Sequence, residues 1–185
     1  MEYSTTKNMV ISELEAALSA VDETAVEEFI AILEQAKRVF VTGAGRSELS
    51  LLAFVKRLTH MGIRATYAGA VNAPPITAKD LLIIGSCSGE TAVPVAVART
   101  AKQHKAKIAY IGSNMNSVAA EIADLTVNIP HCAKTGQGKN AESQQPMNSL
   151  FEQSLMLLLD IVAFMMIRRN GIDEAELRRN HANLE

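Results

Sequence analysis

The sequence predicts an α/β fold, a three-layer sandwich in which helices cover both faces of a five-stranded parallel sheet. Short runs of Val, Ile and Leu alternate along the chain with segments of helical spacing, which is typical of this class. The runs are apolar throughout, as in strands buried on both faces. Glycine-rich turns follow the first and third runs, which are the strands that flank the ligand-binding switch point in the flavodoxin-like order 2-1-3-4-5.

Two helices and five strands make up the predicted first part of the fold. The helices cover residues 5–20 and 24–37, with Asp22 as the cap between them. The five predicted strands, each expected to be buried on both faces, cover residues 39–43, 63–68, 81–86, 107–113 and 125–129.

Three predicted helices connect these strands. The first begins with Ser47 as its N-cap and ends before Gly62. The second covers residues 90–104, with Pro94 in its first turn, and a shorter one covers residues 117–123.

A polar loop leads from the sheet to a long helix, residues 147–169, and then to a short polar helix in the tail. The long helix is apolar nearly all round, so we expect part of it to pack on another subunit of a homo-oligomer. We expect one domain over residues 1–185, with N-terminal helices at 1–37, the sheet core at 38–130 and C-terminal helices at 147–185.

The composition is that of an ordinary globular protein and argues against several functions. The chain has 185 residues, 48% of them apolar, and a net charge of −2, which favours no nucleic-acid partner. Cys87 and Cys132 lack the spacing of a zinc site and are expected to be reduced thiols. The most apolar stretch, residues 155–167, contains Asp160 and is short for a membrane span, so we expect a cytoplasmic protein without a membrane partner.

The first glycine-rich turn, GAGRS, does not fit nucleotide binding well. Gly43 and Gly45 match G-x-G, but Glu48 takes the third glycine position, and no GK[ST] follows for a Walker loop. The remaining arrangement, in which Gly45, Arg46 and Ser47 lead into a helix, suits one anion. The alternative is a tight turn in which Ser47 only caps the helix.

The second turn, GSCSGET, shifts the balance towards phosphate. Ser86, Ser88 and Thr91 surround Gly85 and Gly89 at the start of the next helix. Three hydroxyls and the backbone amides suit the oxygens of a monophosphate, and neither a lysine nor a metal-binding aspartate accompanies them. Both turns end on strands that flank the switch point, so we expect them to line one crevice.

These paired turns resemble the SIS (sugar isomerase) domain, a five-stranded parallel sheet that binds phosphosugars with its Ser/Thr-rich turn on the phosphate. Four further segments, RLTHMG, APPI, QPMNSLFEQ and HANLE, are similar to the 6-phospho-3-hexuloisomerase family. The resemblance covers the chain from about residue 39 to its end. Cys87 and Glu48 depart from the family pattern, which usually has glycine and a small residue there.

The resemblance implies conversion of D-arabino-hex-3-ulose 6-phosphate to fructose 6-phosphate, the second step of formaldehyde fixation in the ribulose monophosphate pathway. It also implies a phosphosugar substrate, a homotetramer with active sites at subunit contacts, and functional coupling to a hexulose phosphate synthase. Moving the ketone from C3 to C2 through an enediol needs a base and a donor to the oxyanion, and we expect neither metal nor cofactor.

Glu152, near the start of the long apolar helix, is the first candidate for the base. The alternative is a first-turn acidic residue that interacts favourably with the helix dipole; the resemblance favours catalysis. His60 is the second candidate, to polarise the C3 carbonyl or to move a proton between the oxygens. It lies about 21 Å from its own phosphate turn along a predicted helix of ~14 residues, so it would serve a neighbouring subunit. The alternative is a histidine that stabilises a helix C-terminus.

His181, in the tail, is a third candidate, which either closes over a neighbouring site or is solvated. Two other functions stay open at this point. One is another aldose–ketose phosphate isomerase, and the other is a non-catalytic SIS module that senses a phosphosugar.

Overall fold

Five parallel strands form one sheet in the order β2-β1-β3-β4-β5, which confirms the predicted fold class and strand order. The computed structural model describes residues 2–130 and 143–184, so Cys132 and most of the predicted polar loop lie outside the described residues. The strands are β1 (Val39–Thr42), β2 (Ala65–Tyr67), β3 (Leu81–Gly85), β4 (Lys107–Gly112) and β5 (Leu125–Asn128).

Seven helices are described in these residues, and those beside the sheet form two layers. They are α1 (Tyr3–Ser19), α2 (Glu23–Gln35), α3 (Gly45–His60), α4 (Ala92–Gln103), α5 (Val118–Ile122), α6 (Ser149–Arg169) and α7 (Glu174–Arg179). Helices α1, α2, α3 and α6 form the layer on one face, α4 and α5 cover the other, and α7 packs on α3. The predicted three-layer arrangement follows.

Alternate side chains of the central strands point into two separate cores. In β3, Leu81 and Ile83 join the core under α3 and α6, whereas Leu82 and Ile84 join the core under α4. This is why the runs are apolar without alternation. The prediction of burial on both faces is correct for β1 and β3 but wrong for the edge strands. All of β2 and half of β5 are only partly buried, because the helices cover the sheet less completely at its edges.

The predicted caps differ in their outcome. Asp22 caps α2 by accepting a hydrogen bond from the backbone N–H of Thr24, and Gly62 follows α3 with φ of +77°. Ser47 is not the N-cap of α3, because the helix begins two residues earlier, at Gly45, after an extended Ala44. Ser47 therefore lies in the first helical turn.

Helix α6 has one buried side and one apolar side that faces outward. Met156, Leu157, Ile161 and Phe164 are exposed, Phe164 by 61%. Within the described residues α6 is the one helix long and apolar enough to cross a membrane, and half of that stretch is buried inside the protein. The sequence prediction used only residues 155–167, which are short for a membrane span. The helix that contains them has 21 residues, so its length does not argue against a span.

Candidate active site

A small cavity of about 110 Å³ lies where β1 and β3 end. Larger cavities of about 660, 610, 380 and 230 Å³ lie elsewhere in the described residues. None of these four combines a carboxylate with a hydroxyl-rich glycine turn, so the small cavity is the candidate site because of its chemistry and not its size. Its lining residues are Ala44, Ser47, Gly85, Ser86, Cys87, Ser88, Thr91, Asn148 and Glu152.

The first turn brings α3 close to the sheet. A Cβ on Gly43 would lie 2.9 Å from a methyl carbon of Leu51, so glycine permits this approach. Gly45 has φ of +58°, a conformation that glycine adopts at little cost. With the helix started at Gly45, Ser47 lines the cavity from the first turn of α3.

The second turn gathers the predicted hydroxyls. Ser86 Oγ lies 3.1 Å from Thr91 Oγ1 and accepts a hydrogen bond of 3.2 Å from the N–H of Gly89. Ser88 Oγ accepts a bond of 3.2 Å from the N–H of Glu90, so it stabilises the turn and does not cap α4. Thr91 is the N-cap residue of α4 by position, and its side chain makes no capping bond.

Helix α6 contributes the carboxylate. The Arg46 guanidinium donates from Nε to Glu152 Oε2 at 2.5 Å; the Arg46 side chain is 65% exposed and that of Glu152 only 15%. Ser50, buried in α3, donates to the backbone carbonyl of Glu152 at 3.0 Å and so ties the start of α6 to α3. Arg46 thus contacts the candidate base, whereas the sequence predicted that it adds charge to the anion site.

Cys87 adds a buried thiol to the cavity. Burial raises the pKa of the Cys87 thiol, the negative charge of Glu152 raises it further, and a hydrogen bond with Ser113 opposes both. The thiol is therefore a poor nucleophile near neutral pH.

The two histidine candidates lie together at the far end of α3. The rings of His60 and His181 stack with centroids 4.9 Å apart and planes 25° apart. Asn180 Nδ2 donates to the carbonyl of His60 at 3.0 Å, which ties the tail to this helix end. Because α3 has 16 residues and spans about 24 Å, neither ring reaches the cavity of its own chain.

The cavity therefore unites Ser47, Ser86, Ser88 and Thr91 with Glu152, and Arg46 joins them through its ion pair. Gly45 starts α3 next to the cavity without lining it. Sequence reasoning missed Asn148, the residue before α6, which lines the cavity. Its position inside the QPMNSLFEQ segment, ahead of an apolar helix, was the available signal. The described residues contain no group of three or more His, Cys, Asp or Glu side chains placed to hold a metal ion.

Comparison with known proteins identifies the family. The SIS domain model matches residues 32–163. A curated relative from Mycobacterium gastri named 3-hexulose-6-phosphate isomerase is 38% identical over 178 residues, 96% of this chain and 89% of the relative. One of the same name from Bacillus subtilis (strain 168) is 34% identical over 176 residues, 95% of each chain.

A solved structure of a Methanococcus jannaschii protein, for which a 3-hexulose-6-phosphate isomerase function was inferred, has a TM-score of 0.84 at 29% identity. The match covers 98% of this chain and 99% of that one. The chain belongs to the SIS domain family and is a relative of the 3-hexulose-6-phosphate isomerases.

Proposed function

We propose that this chain is an isomerase that converts D-arabino-hex-3-ulose 6-phosphate to fructose 6-phosphate. The observation that carries the proposal is one small cavity lined both by a carboxylate, Glu152, and by a hydroxyl-rich glycine turn. A phosphosugar needs such a pair, because one end of the molecule must be held while a carbon-bound proton moves at the other. The relatives named 3-hexulose-6-phosphate isomerase support this substrate.

The phosphate would bind to the turn between β3 and α4. Ser86, Ser88 and Thr91 lie on this turn, and Ser47 faces it from the first turn of α3. Hydroxyls and backbone amides near two helix N-termini stabilise an anion without a counter-cation. Gly45 lets the backbone turn into α3, and Arg46 would add positive charge at the mouth of the site.

Glu152 would act as the base. Its carboxylate takes the proton from C2, an enediol forms across C2 and C3, and the proton returns to C3. Arg46 occupies Oε2 of the carboxylate, so its release would free that oxygen for this step and let the guanidinium approach the phosphate or the developing oxyanion. Asn148 lines the cavity, and its side-chain amide would donate a hydrogen bond to an enediol oxygen.

His60 would complete the site of a neighbouring subunit in a homotetramer. Its distance from its own cavity and the exposed apolar side of α6 both favour an oligomer. There His60 would polarise the C3 carbonyl or carry a proton between the oxygens, and His181, stacked on it, would orient the ring. We also propose that residues 1–185 form one SIS domain. The protein would act in the cytoplasm, functionally coupled to a hexulose phosphate synthase in the ribulose monophosphate pathway.

Two other functions would use the same phosphate turn. Another aldose–ketose phosphate isomerase would need the same base and a different sugar. A non-catalytic phosphosugar sensor would need no carboxylate in the cavity, so the position of Glu152 favours an enzyme.

The proposal is tested by a coupled assay. Hexulose phosphate synthase, ribulose 5-phosphate and formaldehyde generate the 3-ketose, and fructose 6-phosphate is measured. We expect turnover that depends on this protein and falls by at least about 100-fold in Glu152→Gln, since this change removes the base and keeps the side-chain shape.

Isothermal titration with fructose 6-phosphate serves as the control, and the Glu152→Gln variant should bind it about as well as the wild type. No turnover of the 3-ketose by the wild type, with sugar phosphate still bound, would reject this substrate and leave the other two functions. Full activity of Glu152→Gln would reject Glu152 as the base.

A further inference from the structure

The turn between β3 and α4 is held from its outer side by the segment that follows β4. Four successive backbone carbonyls of this turn each accept a hydrogen bond from β4, from the loop after it or from α5. The bonds are Tyr110 Oη to Ser86 (2.9 Å), Ser113 N to Cys87 (3.1 Å), Asn114 Nδ2 to Ser88 (3.2 Å) and Ala119 N to Gly89 (3.1 Å). We call these four bonds the outer clasp.

The outer clasp bears on anion binding because carbonyl oxygens carry partial negative charge. An anion in the cavity is repelled by oxygens that face it and attracted by N–H and O–H groups. All four oxygens are bonded to Tyr110, Ser113, Asn114 or Ala119, none of which lines the cavity. The hydroxyls of Ser86 and Ser88 then remain on the cavity wall.

Tyr110 is the buried member of the outer clasp. Its side chain is fully buried, and its hydroxyl lies 2.9 Å from the carbonyl of Ser86 and 3.3 Å from that of Asn114. Burial raises the pKa of Tyr110 to about 12, so the hydroxyl keeps its proton at any physiological pH. Two glycines leave space for it: a Cβ would lie 1.9 Å from this oxygen at Gly112 and 2.7 Å from it at Gly89.

Asn114 is the half-buried member that links the outer clasp to α5. Its Nδ2 donates to Ser88, and its Oδ1 accepts from the N–H of Asn116 at 3.1 Å. Its backbone carbonyl accepts from Ser117 Oγ at 2.7 Å. The side-chain amide of Asn114 is therefore held through both its nitrogen and its oxygen, which suits a group that holds a turn in place.

We propose that Tyr110 and Asn114 are positioning residues for the phosphate site, because their side-chain hydrogen bonds hold the carbonyls of Ser86 and Ser88 away from the bound anion. Neither side chain lines the cavity, so both act through the turn. The inference rests on the phosphate site of the proposed function, and it assigns no role in proton transfer to either residue.

The test compares Tyr110→Phe and Asn114→Ala with the wild type. Tyr67→Phe is the matched control, because it removes a tyrosine hydroxyl from β2, at the sheet edge away from β4. Inorganic phosphate and fructose 6-phosphate are titrated calorimetrically, and KM and kcat are measured in the coupled assay. We expect both variants to bind both ligands roughly tenfold more weakly, since a carbonyl without its partner is free to turn towards the anion.

The division between KM and kcat separates positioning from general damage. KM should rise by about the same factor as the dissociation constants while kcat stays within about twofold, because Glu152 comes from α6 and not from the turn. Unchanged phosphate affinity in a folded Asn114→Ala protein would overturn the inference, and so would an equal loss in Tyr67→Phe.

Three further outcomes are decisive. If Tyr110→Phe does not fold, Asn114→Ala, at a half-buried position, decides alone. If the wild type binds phosphate without converting the 3-ketose, the proposed reaction fails while the affinities still decide this inference. A wild type that binds neither inorganic phosphate nor fructose 6-phosphate would overturn both.

Discussion

Arg46 and Glu152 form an ion pair at the edge of the cavity, where the arginine is mostly exposed. A pair with one exposed partner adds little to folding stability, because water and salt screen it. Its effect is on the charge of the site: the guanidinium offsets the carboxylate next to a turn that is to bind an anion. The guanidinium therefore balances the charge of the candidate base in the free protein, and a bound phosphosugar would draw Arg46 towards its own negative charge.

The reactivity of the Cys87 thiol depends on the charge of Glu152. In a Cys132→Ser background, which leaves Cys87 as the only cysteine, we expect iodoacetamide to react more slowly than with an unperturbed thiol at pH 7.5. The raised pKa of Cys87 leaves little thiolate at that pH, and the rate should climb only as the pH rises beyond about 8.5, the pKa of an ordinary thiol.

Adding Glu152→Gln to this background should speed the alkylation, because it removes a negative charge that raises the pKa of the thiol. Mass spectrometry of the modified peptide follows the reaction, and phosphate should protect. Alkylation at the rate of a small-molecule thiol would contradict the burial of Cys87.

At the scale of elements, an ion pair joins the starts of two neighbouring strands. Asp80, just before β3, accepts from Arg38 Nε at 3.0 Å and Nη2 at 2.8 Å, and from Thr77 through both its N–H and its hydroxyl at 2.7 Å. Burial alone raises the pKa of the Asp80 carboxyl, but the hydrogen bonds from Arg38 and Thr77 outweigh it and lower the pKa below its ordinary value.

Asp80→Asn should lower the free energy of unfolding by about 3 kcal/mol at pH 7, since it leaves a buried set of donors without their charge partner. Because the folded pKa of Asp80 is depressed, its contribution to folding stability is present above about pH 3.9, the pKa of an unfolded aspartate. The contribution is lost as the pH falls through the lower folded value.

Urea unfolding between pH 3 and pH 7 measures this dependence, and the variant should show less of it than the wild type. Glu174→Gln, which breaks an exposed pair with Arg178 on α7, is the control and should change stability by less than about 1 kcal/mol. A loss in Asp80→Asn no larger than that of the control would contradict the prediction.

The outward side of α6 tests the expected oligomer. Phe164→Asp places a charge on an exposed apolar side chain, so it should leave the fold of a single chain intact and separate the subunits. Sedimentation velocity should show a smaller species than the wild type. Gln103→Asp, which adds the same charge at an exposed position of α4 on the other face of the sheet, is the control. A wild-type chain that sediments as a monomer would reject the oligomer.

At the scale of the whole molecule, the two candidate catalytic residues lie at opposite ends of α3, Glu152 on the neighbouring α6 and His60 on α3 itself. Glu152 contacts the first turn of α3 through Arg46, and His60 is the last residue of that helix. If both act in one reaction, they come from different chains. Glu152→Gln and His60→Ala should then each lose at least about 100-fold in kcat.

Mixed oligomers of the two variants should regain roughly a quarter of wild-type activity, because a quarter of the sites then combine an intact Glu152 with an intact His60. Co-expression with two affinity tags isolates these species for the coupled assay. Oligomers of each variant alone are the control, and mixed species no more active than these would contradict a shared site.

The sequence by itself determined the strand order, both phosphate-turn candidates and the family, because these depend on local patterns. Apolar runs show central strands, glycines with hydroxyls show turns, and parallel topology brings the ends of β1 and β3 to one crevice. The same local reasoning gave Ser47 the role of a cap and expected burial on both faces for all five strands. Both errors concern the surroundings of a residue and not its type.

Only the tertiary structure decided which distant groups meet. Packing of α6 on α3 brings Glu152 to Arg46, 106 positions apart, and packing of the tail on α3 stacks His181 on His60. The contact of Tyr110 with the second turn likewise arises from the pairing of β3 with β4. No local pattern encodes these contacts, because each depends on how two elements are oriented in space. The turns could therefore be predicted from the sequence, whereas the partners of the candidate catalytic groups required the fold.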